Sequence, residues 1–305
     1  MKTKILHSYG NKEISSYEFD LGDMESNQML IKTIYTGICR SDIDQYLGHI
    51  EIPFGHFGHE SIGEVIKVGS SIKNFKIGDY VASRNDPAYS EYFYGDENNT
   101  VKVSNNTPEY IIEPVACSVN IADSVIKLGD LSNDVLIVGS GFISNVVAQY
   151  LRNLSPSLKI YVVGNHNQEQ WDNIRVTNIK FEDITRYNKT FKTCIELSGK
   201  AENFDKIMSV AAPGALICLG AAFETPISTT FWKQLWNNYT IIFPSPRNES
   251  FHSSMLLAEH YITQKHLTTA WAWTHMYNVQ DYKKAFEESI SRNTTEPFVR
   301  SYIKW

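Results

Sequence analysis

DVLIVGSGFISNVVAQYLRNLSPSLKIYVVGN, residues 134–165, decides the fold. VLIV is a short, wholly apolar run of the kind buried on both faces of a parallel sheet, and it ends in glycines. FISNVVAQYLRNL (142–154) then has helical length and spacing, and KIYVVGN (159–165) is a second apolar strand. The stretch is a βαβ unit. Strand-like TCIELSG (193–199), helix-like AENFDKIMSVAA (201–212) and strand-like GALICLGAA (214–222) continue the alternation. A doubly wound parallel sheet is the consistent expectation for the middle of the chain.

Outward from this unit the pattern changes. MLIKTIYTG (29–37), SIGEVIKVG (61–69), DYVAS (79–83) and EYFYGDENNTVKV (91–103) are short β-branched and aromatic runs broken by glycine, the rhythm of antiparallel strands. Beyond NYTIIFPSP (238–246), MLLAEHYITQKHL (255–267) and DYKKAFEESIS (281–291) read as amphipathic helices, and FVRSYIKW (298–305) as a closing strand that returns to the first domain. The expected division is 1–116 with 246–305 as one domain and 117–245 as the other.

Composition narrows the function. A chain of 305 residues with 42% hydrophobic residues can bury a sizeable core, and two domains are the natural prior. With a net charge of -6 and scattered basic residues, neither nucleic acid nor an anionic membrane is an expected partner; a small molecule is. No stretch approaches the roughly 18 apolar residues of a membrane span. The opening MKTKILHSYGNKEISSYEF lacks a secretory h-region, so a soluble, cytoplasmic protein is expected. Four cysteines far apart argue for reduced thiols.

Two motifs carry chemistry. Gly139-Ser140-Gly141-Phe142-Ile143-Ser144 fits G-x-G-x-x-G except at its last position. The first glycine permits the tight turn, and the second lets a pyrophosphate approach amide dipoles at a helix N-terminus. An ordinary strand-to-helix turn is the bland alternative. The following strand ends in Gly164-Asn165-His166-Asn167, where an acid would take the ribose hydroxyls. Without that carboxylate a 2′-phosphate is not repelled, which favours NADP(H) over NAD(H). The second motif is GHFGHE (55–60), with GICRSD (37–42) upstream and Glu113-Pro114 downstream. Cys39, His59, Glu60 and Glu113 are ligand types for a catalytic zinc. Singly, each is as well explained as a packed thiol, a turn histidine or a surface acid.

GICRSD, GHESIGEVIKVG, FKIGDYV, EPVACSV and LIVGSGFIS, in this order and spacing, resemble the zinc-dependent medium-chain dehydrogenase/reductase family over nearly the whole chain. The Glu-Pro at 113–114 brings the likeness closest to the sorbitol, polyol and sugar dehydrogenases. The resemblance implies a GroES-like β-rich catalytic domain joined to a Rossmann coenzyme domain, and hydride transfer between a nicotinamide coenzyme and an alcohol, polyol or sugar hydroxyl. It implies Cys39 and His59 as zinc ligands, with Glu60 and Glu113 as direct, exchangeable or water-mediated ones. Ser41 becomes the proton-relay hydroxyl and Asp42 the carboxylate that orients His59. Arg40 and Arg300 become cations for the coenzyme pyrophosphate, with Gly139, Gly141, Phe142, Ile143, Gly164, Asn165 and His166 along its path. Where the family often carries a four-cysteine lobe, this chain runs ASRNDPAYSEYF (82–93), so one catalytic zinc and no structural zinc is the expectation. A homo-oligomer, dimer or tetramer, is open. Tyr46, His49, His56, Phe57, Tyr89, Phe223 and Arg247 are candidates for the pocket wall. Two other readings compete: a zinc-independent quinone or enone reductase of the same fold, and a catalytically silent nucleotide-binding regulator.

Overall fold

The computed structural model describes every residue except 130, 132–133, 165–168, 224 and 230–234. The chain splits into two compact units, Met1–Ala116 with His252–Trp305, and Cys117–Phe251.

The second unit is built on a six-stranded parallel sheet. Its strands, in sheet order, are β10 (Thr177–Ile179), β9 (Ile160–Val163), β8 (Val135–Val138), β11 (Phe191–Glu196), β12 (Ala211–Leu219) and β13 (Thr240–Ile242). All four residues of β8 are buried, as a strand covered on both faces requires. Helix α3 (Phe142–Leu154) follows the glycine turn and buries Phe142, Val146, Val147, Tyr150 and Leu151. Strand β12 starts three residues before the expected GALICLGAA, and helix α5 (Ala201–Val210) stops correspondingly early. Pro213 is the cause, since a residue preceding proline is disfavoured in the α conformation.

The first unit is β-rich. A seven-stranded sheet has the order β14 (Trp273–Asn278), β15 (Arg300–Lys304), β3 (Gln28–Gly37), β4 (Ser61–Val68), β5 (Tyr80–Ser83) and β7 (Thr100–Lys102), with β6 (Tyr92–Asp96) also pairing β3. The single run expected at 91–103 is thus two strands. Asp96 breaks it, its Oδ1 accepting from the Asn98 and Asn99 amides at 2.8 and 3.0 Å in a tight turn. The closing strand lies inside the sheet, antiparallel to β3 and parallel to β14. A separate hairpin of β1 (Lys2–Gly10) and β2 (Glu13–Asp20) completes the strands of this unit. Helix α1 (Arg40–Leu47) and helix α7 (Tyr282–Ser291) contribute Tyr46 and Phe286 to an apolar cluster with Phe57 and Tyr89.

Candidate active site

Strands β3 and β4 run antiparallel with Thr36 opposite Ser61, and the Gly37 amide donates to the Glu60 carbonyl at 2.8 Å. This register sets the residues just after β3 beside those just before β4. Cys39 therefore meets His59 and Glu60, and one ligand atom from each lies within 4.8 Å of the others. At Gly37 an added Cβ would collide with the Glu60 carboxylate and displace it.

The surrounding charges are specific. Asp42, buried in the first turn of α1, accepts through Oδ2 from the Cys39 amide at 2.9 Å and from the Tyr89 hydroxyl at 2.8 Å. Its Oδ1 lies 3.8 Å from His59 Nδ1, on the ring edge that an orienting carboxylate would take. Glu60 is fully buried; Oε2 meets the Arg300 guanidinium, while Oε1 has no hydrogen-bond partner. Glu113, first residue of helix α2 (Glu113–Leu128), is buried, with Oε1 3.6 Å from Arg84 Nε. It stands outside the three-residue cluster.

Burial pushes Asp42 up to about 6 against the opposing pull of His59 and the Cys39 amide. Burial also raises the Cys39 thiol, aided by Glu60. For His59, burial works against protonation, yet Asp42 and Cys39 carry it well above its ordinary range. A thiol, an imidazole and an incompletely satisfied buried carboxylate thus share one small volume. The donor set fits a divalent cation of zinc type, which would replace the protons these groups hold.

Other expected site residues separate clearly. Ser41 is half-buried on the first turn of α1. Exposed Arg40 pairs with Asp44 through Nε at 3.3 Å. Arg300, expected at the coenzyme pyrophosphate, has its guanidinium on Glu60 and over the Trp273 ring at 4.8 Å. Arg292 escaped the sequence reading. Exposed at the C-cap of the helix Tyr282–Ser291, it has its pKa lowered by desolvation and by the like charges of Arg40 and Arg300. The pocket-wall candidates Tyr46, Phe57 and Tyr89 are corrected: all three are buried in the aromatic core of the first unit. Phe223 packs on the apolar cluster of the second unit, whereas His49, His56 and Arg247 are exposed.

In the second unit, Gly139 has φ +113°, and a Cβ there would meet the Leu197 carbonyl carbon at 2.9 Å. Gly141, the N-cap of α3, has nothing within 4 Å of its Cβ position, which leaves an open approach to the helix amides. Gly164 is needed for another reason: a side chain there would strike Ser140 of the turn. Phe142 and Ile143 open the helix. Ser144, in place of the third glycine, is buried with its Oγ lacking a hydrogen-bond partner. Asn165 and His166 lie outside the described residues.

A Rossmann-type parallel sheet joined in one chain to a β-rich unit bearing a Cys-His-Glu cluster defines a dehydrogenase class of protein. Residues 25–105 match the alcohol dehydrogenase GroES-like domain. L-threonine 3-dehydrogenase of Aliivibrio fischeri (strain MJ11) is 25% identical, over 94% of this chain and 96% of its own. Sorbitol dehydrogenase of Bacillus subtilis (strain 168) is 39% identical over 27% of this chain and 24% of its own. TarJ of S. aureus, solved in complex with NADPH, superposes with a TM-score of 0.81 at 19% identity, covering 100% of this chain and 99% of that one, and so shares the fold. The matched domain and these relatives support a likeness to the zinc-type medium-chain dehydrogenase/reductase family. No helix among the described residues is long and apolar enough to cross a membrane.

Proposed function

We propose that this chain is a zinc-dependent, NAD(P)-linked dehydrogenase of alcohols, polyols or sugars, acting on a hydroxyl or the matching carbonyl. The observation that carries the reading is the convergence of Cys39, His59 and Glu60, with the Asp42 carboxylate facing His59. Threonine and sorbitol dehydrogenases among the relatives support a hydroxyl-bearing substrate of alcohol or polyol type. In this reading the unit Cys117–Phe251 takes the coenzyme and the other unit the metal and substrate.

Cys39, His59 and Glu60 would hold zinc, with Glu113 approaching directly or through water. Zinc bound there supplies a Lewis acid that acidifies a hydroxyl or polarises a carbonyl. Nicotinamide coenzyme supplies the hydride acceptor or donor. Asp42 holds the His59 ring edge-on, and Ser41, beside Cys39 and partly open to solvent, moves the substrate proton outward. The amides at Phe142 and Ile143 and the bare Gly141 receive the coenzyme pyrophosphate. The missing carboxylate after β9 favours NADP(H), with Gly164, Asn165 and His166 lining the ribose end. A homo-oligomer fits β13, the edge strand of its sheet among the described residues, beside which Trp236 is 80% and Phe243 72% exposed.

Purified protein should contain about one zinc per chain. Cys39→Ser should abolish oxidation across a panel of alcohols, polyols and sugars while NADPH still binds, more tightly than NADH, by nicotinamide fluorescence. Full turnover in metal-free protein overturns the reading.

A further inference from the structure

We propose, building on the metal reading above, that Tyr89 is a positioning residue for the metal centre: its hydroxyl fixes the Asp42 carboxylate in the orientation that faces His59. The Tyr89 oxygen is 2.8 Å from Asp42 Oδ2 and 3.0 Å from the Gly37 carbonyl. It has one proton to give, and the carboxylate is the stronger acceptor. With Oδ2 held by both this hydroxyl and the Cys39 amide, the carboxylate cannot rotate without breaking two hydrogen bonds. Oδ1 is thereby left directed at His59 Nδ1.

The ring itself is clamped. Tyr89 is fully buried, with ring centroids 4.8 Å from Phe57 and 5.6 Å from Phe286. Gly58, directly before His59, has φ +84°, and a Cβ there would lie 2.5 Å from Tyr89 Cδ2. The Tyr89 amide donates to the Phe57 carbonyl and the Ala88 amide to the Gly58 carbonyl, both at 3.2 Å. The Leu6 amide grips the Tyr89 carbonyl at 2.8 Å. One residue thus touches the backbone leading into His59, the carbonyl that precedes the Cys39 turn, and the acid that orients the imidazole. Segment 82–93, which has no cysteine, supplies the hydroxyl that meets Asp42.

The test is zinc retention. Tyr89→Phe keeps the ring and its packing and removes only the hydroxyl. Zinc-loaded wild type and variant are mixed with excess 4-(2-pyridylazo)resorcinol, and the colour of released zinc is followed. The variant should release zinc faster by on the order of tenfold, the low end for loss of a ligand's outer support. Tyr277→Phe is the control, because it deletes a hydroxyl bonded to Glu288 in the same apolar cluster without touching Asp42. It should release zinc at the wild-type rate. In an Asp42→Ala background, which leaves the hydroxyl no side-chain acceptor at 42, the Tyr89→Phe step should add nothing, and in cobalt-loaded protein Tyr89→Phe should shift the visible absorption band. Release at the wild-type rate from Tyr89→Phe overturns this inference and leaves the metal reading standing. Wild type that holds no zinc overturns both. Equal acceleration by Tyr277→Phe would assign the effect to core stability and also overturn it.

Discussion

Four carboxylates are buried among the described residues, and the two units treat them differently. In the sheet of the second unit, Glu196 accepts from the Ser198 amide at 2.8 Å, the Gly199 amide at 3.2 Å and the Ser198 hydroxyl, which is itself supported by Asn203. Its own loop satisfies it. In the first unit, Asp42 Oδ1 and Glu60 Oε1 have no hydrogen-bond partner although each belongs to a buried carboxylate. Burying charge without full compensation is costly. A carboxylate closed by its neighbours is explained by architecture alone; one left open beside a thiol and an imidazole is what the proposed metal site requires.

The comparison can be broken first at Arg300. Arg300→Leu leaves Glu60 buried without its cation and should cost about 3–5 kcal/mol in urea unfolding of the metal-free protein. Added zinc should recover part of that loss, because a metal cation would compensate the same carboxylate; no recovery would count against an open, metal-seeking site. The corresponding experiment in the second unit is Glu196→Gln, which removes anionic acceptance from a closed set of donors. It should cost about 1–3 kcal/mol, with no response to zinc.

The smallest effect tests whether every unpartnered buried group in the first unit awaits a ligand. Both ring nitrogens of His7 are buried without partners, and the ring sits against Tyr9, Phe54 and Phe57 at 4.6, 5.3 and 5.9 Å. Burial lowers its pKa. The unfolded chain therefore takes up a proton near pH 6.5 that the folded chain resists. Stability from this group is full above that pH and is lost as pH falls through the folded value. His7→Phe should change stability by less than about 1 kcal/mol at neutral pH. It should flatten the fall in melting temperature between roughly pH 7 and 5. An unchanged slope would show that other groups set the acid limit.

The sequence revealed what local pattern encodes. VLIV and the following glycines announced the parallel sheet, and the cysteine, histidine and glutamate of the two glycine-bounded motifs announced the cluster. Long-range pairing stayed hidden. Glu60 and Arg300 are 240 positions apart, and no periodicity ties a carboxylate to a guanidinium at that distance. Glu113 was legible as a ligand type, but its pairing with Arg84 depends on where α2 begins relative to β5. Tyr89 looked like a pocket wall because aromatic character alone does not distinguish a ring that faces substrate from one whose hydroxyl is spent on Asp42.

The position of β15 also sets an order of events during synthesis. Every residue of the unit Cys117–Phe251 leaves the ribosome while the first unit still lacks the strand between β14 and β3. At about 5–20 residues per second the 240 positions from Glu60 to Arg300 take on the order of tens of seconds to translate. Throughout that interval Cys39, His59 and Glu60 are present and the arginine that meets Glu60 is not, so a nascent chain carries the cluster long before its buried carboxylate gains a cation.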